Sequence, residues 1–503
     1  MKKLLLVVVF ITGIVWIAFS LHEKSERDQW EVYWPRQCSF SSPRPVDLNG
    51  DGVMDLVLGA GRDEFQGSDT VVVAVDGING EMIWRVPGRD QMVGSALFLD
   101  INRDQTKDVF MAGRAGQLMA VDGKNGELIW QYHQPSVFSD YPDSVFLNFY
   151  TPQLVPDYDQ DGLQDLLISA GGDATIPHFD RDRPTGKLML ISSRDGSLLH
   201  EMMMPDKGET FMSPVCADLE GNGKLTIFFG TGGETLGGSF YRLRYQDFLA
   251  NDLSGLSKLS SSEERGFIAP PVLADVNTDQ VLDVVVNAVD GRMMAFCGQS
   301  DELLWELKIP GAEVYGSLAV GYFNEDDVPD FFSNFGVGVF PNVEKSYQLM
   351  VNGKNGEIEF MDSLGILQIG SPLAFDINQD GRHEAVMSVN WFMENMAKNY
   401  YESIFGMQND LLIFRFDEPS SYRLLGPFKG ANPAATPWIG DLDDDNKIDV
   451  VYSFMHDPET YRPFNGMKLL RKEFNLPAGE HISWGSYMGT DFTGVFRGKQ
   501  KDS

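Results

Sequence analysis

The chain has 503 residues, enough for a large core or several small ones, and 40 Lys and Arg against 73 Asp and Glu leave it a net charge of −33. Such a charge repels nucleic acid and anionic lipid, so neither is expected as a partner. Three cysteines, Cys38, Cys216 and Cys297, are too few and odd in number for a disulfide framework, and they read as buried core thiols.

Residues 1–20 open with Met-Lys-Lys and continue as an apolar run from Leu4 to Phe19. The run is slightly long for a signal-peptide core and slightly short for a transmembrane helix, and Ala18 and Ser20 offer a small-residue cleavage site. A cleaved signal peptide and a single N-terminal membrane anchor both stay open. Either one predicts an exported protein, periplasmic, cell-surface or extracellular. Residues 21–39 read as a linker holding Trp30-Glu-Val-Tyr-Trp34, a strand with no partners nearby, expected to close a ring by joining the last repeat.

From residue 40 to 475 one nine-residue frame recurs, starting at Asp47, Asp100, Asp157, Asp218, Asp275, Tyr322, Asp376 and Asp441. Its clearest copy, Asp157-Tyr-Asp-Gln-Asp-Gly162-Leu-Gln-Asp165, has oxygen donors at positions 1, 3, 5 and 9 and glycine at 6. Carboxylates at alternate positions repel one another unless a hard cation draws them inward, and Ca2+ accepts six to eight oxygens in flexible geometry. Six frames keep all four side-chain donors and predict about six structural calcium sites, each completed by the carbonyl of position 7. The expected ligands are Asp47, Asn49, Asp51, Val53 and Asp55; Asp100, Asn102, Asp104, Thr106 and Asp108; and Asp157, Asp159, Asp161, Leu163 and Asp165. They continue as Asp275, Asn277, Asp279, Val281 and Asp283; Asp376, Asn378, Asp380, Arg382 and Glu384; and Asp441, Asp443, Asp445, Lys447 and Asp449. The Asp218 frame ends in Thr226 and the Tyr322 frame lacks its first carboxylate, so both are expected empty. Simple Asx-turn hairpins would explain one such loop, but turn formation alone calls for neither the acid at position 9 nor so much charge.

Around each frame the pattern is that of an antiparallel sheet. Residues 94–133 hold four strand-like segments of about five residues, joined by the Asp100 loop, a Gly-Arg-Ala-Gly turn and Asp-Gly-Lys-Asn-Gly. One such sheet cannot bury both faces, whereas sheets stacked radially bury them against neighbours. The predicted fold is all-β: an eight-bladed β-propeller of four-stranded antiparallel blades, with seven blades the alternative count. Residues 476–503 read as a C-terminal tail.

The run from Asp47 to Leu56, followed by Val-Leu-Gly-Ala-Gly61, resembles the FG-GAP repeat of integrin alpha-subunit propellers. The segments Gly80-Glu-Met-Ile-Trp84, Gly126-Glu-Leu-Ile-Trp130 and Asp301-Glu-Leu-Leu-Trp305 resemble outer strands of quinoprotein-like eight-bladed propellers. The first likeness implies a calcium loop between strands one and two of a blade; the second implies an eightfold ring. No quinone cofactor is expected, since tryptophans in outer strands lie far from the axis and no vicinal cysteine pair is present.

Calcium loops and Asn-Gly turns should share one face of the ring, leaving longer insertions on the other. Those insertions carry aromatic and histidine residues, among them His178, Phe179, Trp391, Tyr400, Tyr401 and His456, which mark a candidate ligand face. No Gly-x-Ser-x-Gly elbow, phosphate loop or zinc pair appears, and His383 falls within a calcium loop at a position expected to face solvent. The function these features predict is a calcium-stabilised binding or adhesion module for a protein or glycan. The alternative is a calcium-dependent polysaccharide lyase, because some propellers similar to this layout act on acidic sugars; it would need a basic cluster at one mouth, where Arg181, Arg183 and His178 are interleaved with acids.

Overall fold

The computed structural model describes residues 29–132, 147–173, 176–177, 179–339, 342–366, 369–392, 406–417, 419–458, 464–479 and 482–498. Eight antiparallel sheets form the blades of a closed β-propeller. Blade 1 runs Arg44–Val46, Asp55–Gly59, Ser68–Val75 and Met82–Gly88 from axis to rim. Blades 2 to 7 repeat this order, their first strands being Leu97–Leu99, Gln153–Val155, Val215–Asp218, Val272–Ala274, Ala319–Gly321 and Leu373–Phe375. Blade 8 begins at Trp438–Gly440, and its rim strand is Gln29–Pro35, paired antiparallel with Gly466–Pro477 in the register Trp30 to Arg471. The ring is therefore closed by one strand from the start of the propeller and three from its end.

Burial follows position in the blade. The second strands are buried along their whole length in blades 1, 2 and 3, because both faces pack on neighbouring blades, whereas Met82–Gly88 at the rim alternates. The core is accordingly divided into slabs between blades: Val57, Val72 and Ala74 of blade 1 pack on Val109, Met111 and Met119 of blade 2, and Leu56 and Leu58 pack on Val451 and Leu469 of blade 8.

The outer tryptophans lock consecutive blades. Trp84 Nε1 donates to Gly123 O at 2.6 Å, Trp130 to Ser193 O at 2.8 Å, Trp305 to Gly353 O at 2.7 Å and Trp30 to Gly77 O at 2.9 Å. Each acceptor lies in the third-to-fourth strand turn of the next blade. The ring then covers the last residue of that turn: Gly196 has φ +74°, and a Cβ there would lie 2.5 Å from Trp130 Cε3. Glycine is required on both counts.

Several sequence expectations change. One of the insertions expected after the second strands, residues 335–346, is instead mostly strand, because Asp330–Val339 and Asn342–Val351 extend the hairpin of blade 6. His383 is 7% exposed, not solvent-facing; its Nδ1 accepts the Tyr322 backbone N–H at 2.9 Å and its own backbone N–H donates to Tyr322 O at 2.8 Å, tying blade 7 to blade 6. Cys216 is partly exposed, while Cys38 and Cys297 are buried. The segment read as a tail enters the central channel, where Ile482–Trp484 pairs with Leu373–Phe375 on its axial edge.

Candidate functional site

Each complete loop folds on its own amides. Asp47 accepts Gly50 N at 2.7 Å, Asn49 accepts Asp51 N at 2.9 Å and Asp51 accepts Val53 N at 2.8 Å. The position-9 carboxylate has a hydrogen-bonding task beside the ligand role expected of it. Asp55 accepts Leu48 N, Asn49 Nδ2 and, from the third-to-fourth strand turn, Gly77 N at 2.9, 3.3 and 3.2 Å. Asp108, Asp283 and Asp330 repeat the set with Gly123, Gly298 and Gly353. Burial pushes Asp55 up to about 6 and Asp330 and Glu384 up to about 7.

Two loops differ because position 3 is Asp, with no amide to give. In blade 3, carboxylate oxygens of Asp157, Asp159 and Asp165 lie within 4.8 Å of one another, and Asp165, 1% exposed, has an Oδ1 without a hydrogen-bond partner. Burial, followed by the charges of Asp159 and Asp157, pushes Asp165 up to about 6. This donor set and its orphaned oxygen fit a calcium ion. In blade 8 Asp441, Asp443 and Asp449 also gather within 4.8 Å, but Arg471 bridges them, Nε donating to Asp449 Oδ1 and Nη2 to Asp443 Oδ2, both at 2.8 Å. Nη1 of the same arginine reaches Gly77 O in blade 1 at 2.9 Å.

The opposite face holds a central funnel with a volume of about 880 Å3, to which all eight blades contribute. Its collar consists of the residue two before each first strand: Ser42, Ser95, Thr151, Ser213, Pro270, Ser317, Ser371 and Thr436. Seven of the eight carry a hydroxyl, and all seven are at most 4% exposed. The collar is laced in one direction at four of its eight positions, where a backbone N–H donates to the hydroxyl of the next blade: Ser95 to Thr151, Ser317 to Ser371 and Ser371 to Thr436 at 3.0 Å, and Thr436 to Ser42 at 3.1 Å.

The floor is Tyr487, delivered by the chain in the channel, with its hydroxyl 3.3 Å from Ser213 Oγ. That segment bonds the axial edges of the first strands in blades 5, 7 and 8 and a first-strand side chain in blade 3. Leu273 N donates to Gly494 O and Ile439 N to Gly485 O, both at 2.8 Å, and Gln153 Nε2 reaches Thr493 O at 3.0 Å. Arg44, wholly buried, donates to Ala96 O and Tyr487 O and lies 4.2 Å from the Phe492 ring centroid; burial lowers it to about 9, so it stays charged at neutral pH.

The walls carry arginine–carboxylate pairs and aromatic rings. Arg183 Nε meets Glu209 Oε2 at 2.5 Å, with both side chains nearly inaccessible, and burial raises the Glu209 pKa against the opposing pull of Arg183. Arg114 pairs with Glu64, and the hydroxyl of the lining residue Tyr315 donates at 2.7 Å to Glu313, which pairs outside the lining with Arg265 at 3.0 Å. Tyr150, Phe211 and Tyr315 line the same walls.

Of the six residues expected on the ligand face, His178, Tyr400 and Tyr401 lie outside the described residues, as does the segment 1–20. Phe179 is 69% exposed and stands apart from the funnel lining. Trp391 ends a second strand in blade 7, and His456, bonded to Lys429 O at 2.9 Å, faces the Tyr33 ring; neither lines the funnel. The hydroxyl collar escaped the sequence reading although its signal is there: Ser or Thr stands five or six residues before seven of the eight frame starts. Among the described residues no helix is long and apolar enough to cross a membrane.

Residues 60–212 match the sequence model of a family described as FAM234A/B beta-propeller. A comparison with curated proteins finds no match. Among solved structures, a europium-containing methanol dehydrogenase superposes with a TM-score of 0.53 at 10% identity, over 90% of this chain and 94% of that one. Quinohemoprotein alcohol dehydrogenase ADHIIG from Pseudomonas putida HK5 gives 0.53 at 11% identity, over 88% and 75%. The exotype rhamnogalacturonan lyase YesX gives 0.51 at 12%, over 87% and 72%. At such identities the likeness is one of fold.

Proposed function

We propose that the protein is an exported, calcium-binding propeller of the FG-GAP type that acts as a binding module, taking a protein or glycan ligand in the central funnel on its insertion-rich face. The observation that carries this reading is the funnel itself: a rigid concave site of about 880 Å3 built by all eight blades, lined by aromatic rings and hydroxyls. Calcium has a structural role in this reading, on the face away from the ligand, and the blade 3 loop is its best-fitted site. Exported proteins meet calcium at concentrations that fill even weak loops.

The lyase alternative would place free cations in the mouth to neutralise a uronate. Arg114 and Arg183, the two funnel arginines, are each committed to a glutamate. The axis below is taken by Trp484, Met488 and Phe496, which supports a reading without a quinone there.

The test is a binding screen of the purified full chain against glycans and cell-surface proteins, with Val93→Trp and Ala434→Trp as variants that fill the funnel mouth. A ligand bound by the wild type and lost in both folded variants supports the module. Undiminished binding in both variants, or turnover of a uronic-acid polymer, refutes it.

A further inference from the structure

From the chemistry of the funnel base we propose the ligand class: an uncharged, hydroxyl-rich group, a neutral oligosaccharide end, held by the Ser/Thr collar and the Tyr487 hydroxyl. This rests on the reading of the funnel as the ligand site and narrows it.

The charged side chains of the lining are two arginines, each paired with a glutamate, and the carboxylates Asp63 and Glu234; none belongs to the collar. The Arg183–Glu209 pair is buried in the wall of blade 3, and Arg114 is held by Glu64. An ionic ligand entering the base would leave water without touching a counter-charge, since Arg44 beneath the floor is wholly buried and donates to Ala96 O and Tyr487 O, and burying an unpaired charge is far costlier than burying a hydroxyl that finds a partner. The base offers hydroxyls. Ser42, Thr151, Ser371 and Thr436 each accept a neighbour's N–H, and no described residue accepts their own protons; among the described residues the Ser95 hydroxyl has no hydrogen-bond partner. Donors of this kind, converging from blade after blade, suit a ligand that presents oxygen acceptors around its whole edge. Sugar hydroxyls and ring oxygens do so, and they can both accept and donate. The rings of Tyr150, Phe211 and Tyr315 on the walls complement the C–H faces of a pyranose. The volume lies within the roughly 300–1,000 Å3 usual for small-ligand sites.

The experiment is titration calorimetry of the full chain with maltoheptaose, cellohexaose, mannohexaose and N-acetylglucosamine tetramer as neutral probes, and with trigalacturonate and sialyllactose as charged ones. Ser95→Ala and Tyr487→Phe remove a hydroxyl without touching the backbone donors that lace the collar. The expected result is binding of at least one neutral probe, weakened about tenfold by each substitution and abolished by Ala434→Trp, with unchanged melting temperatures. Three results overturn the proposal: no neutral probe binds at millimolar concentration, only charged probes bind, or binding of a neutral probe survives all three substitutions. If the neutral probes fail while a protein ligand is still lost in Ala434→Trp, the sugar class falls and the funnel stands as the site.

Discussion

The tryptophan lock between blades can be tested as a thermodynamic cycle. Trp130 is 8% exposed, donates to Ser193 O at 2.8 Å and covers Gly196. Truncating a buried tryptophan to alanine costs about 3–5 kcal/mol. Trp130→Phe keeps a ring over the glycine and loses the donor, a cost of about 1 kcal/mol. Gly196→Ala puts a side chain at φ +74°, about 1–2 kcal/mol, and sets its Cβ 2.5 Å from the indole, adding roughly 1–3 kcal/mol of overpacking. With Trp130 already alanine the clash disappears and only the backbone cost remains. The double variant should therefore be about 1–3 kcal/mol more stable than the sum of the single effects implies. Urea denaturation followed by circular dichroism reads all four corners of the cycle. Costs that add to within about 0.5 kcal/mol would mean that ring and turn are not in contact.

Three further outcomes are expected. Asp55, Asp165 and Asp449 sit at about 6, Asp330 and Glu384 at about 7, all above their unfolded values near 4. The metal-free fold thus binds more protons than the unfolded chain between about pH 4 and 7 and loses stability as pH rises through that window. Melting in EDTA across this range should show it and Asp330→Asn should flatten it; a melting temperature that climbs with pH counts against the assignment. Calcium at 100 times its dissociation constant should add about 2.7 kcal/mol, and Asp165→Asn should shrink that gain while Asp218→Asn leaves it unchanged; equal responses of the two variants to calcium refute the blade 3 site. Removing residues 482–503 takes away the buried side chains of Trp484, Met488 and Phe496 and uncovers the apolar surface they pack on, about 1.5–3 kcal/mol for each, so the melting temperature should drop sharply, whereas Arg44→Met, which removes a buried charge lacking a carboxylate partner, should cost much less. A truncated chain as stable as the full one would show that the plug is incidental.

What the sequence determines here is whatever is written within one blade. The frames from Asp47 to Asp449, the glycine-ended turns and the Trp84, Trp130 and Trp305 strands each complete a sheet from about fifty consecutive residues, so their recurrence specifies eight blades and the lock between neighbours. Even Trp30–Trp34 betrays itself as a strand short of partners. The structure alone decides what stands on the axis. The collar takes one residue from each blade, from Ser42 to Thr436, and the floor is Tyr487, a residue with no periodic signal because it belongs to no repeat. The aromatic insertions looked like the ligand face because clustered rings are conspicuous in sequence, while the funnel draws its Ser and Thr collar and its few rings, such as Tyr150 and Tyr315, one or two at a time from separate blades, where they look like ordinary loop residues. Chain positions hundreds of residues apart, such as Gln153 and Thr493, meet only because the ring closes and the unpaired axial edges of its first strands seek hydrogen-bond partners, which the last residues of the fold supply.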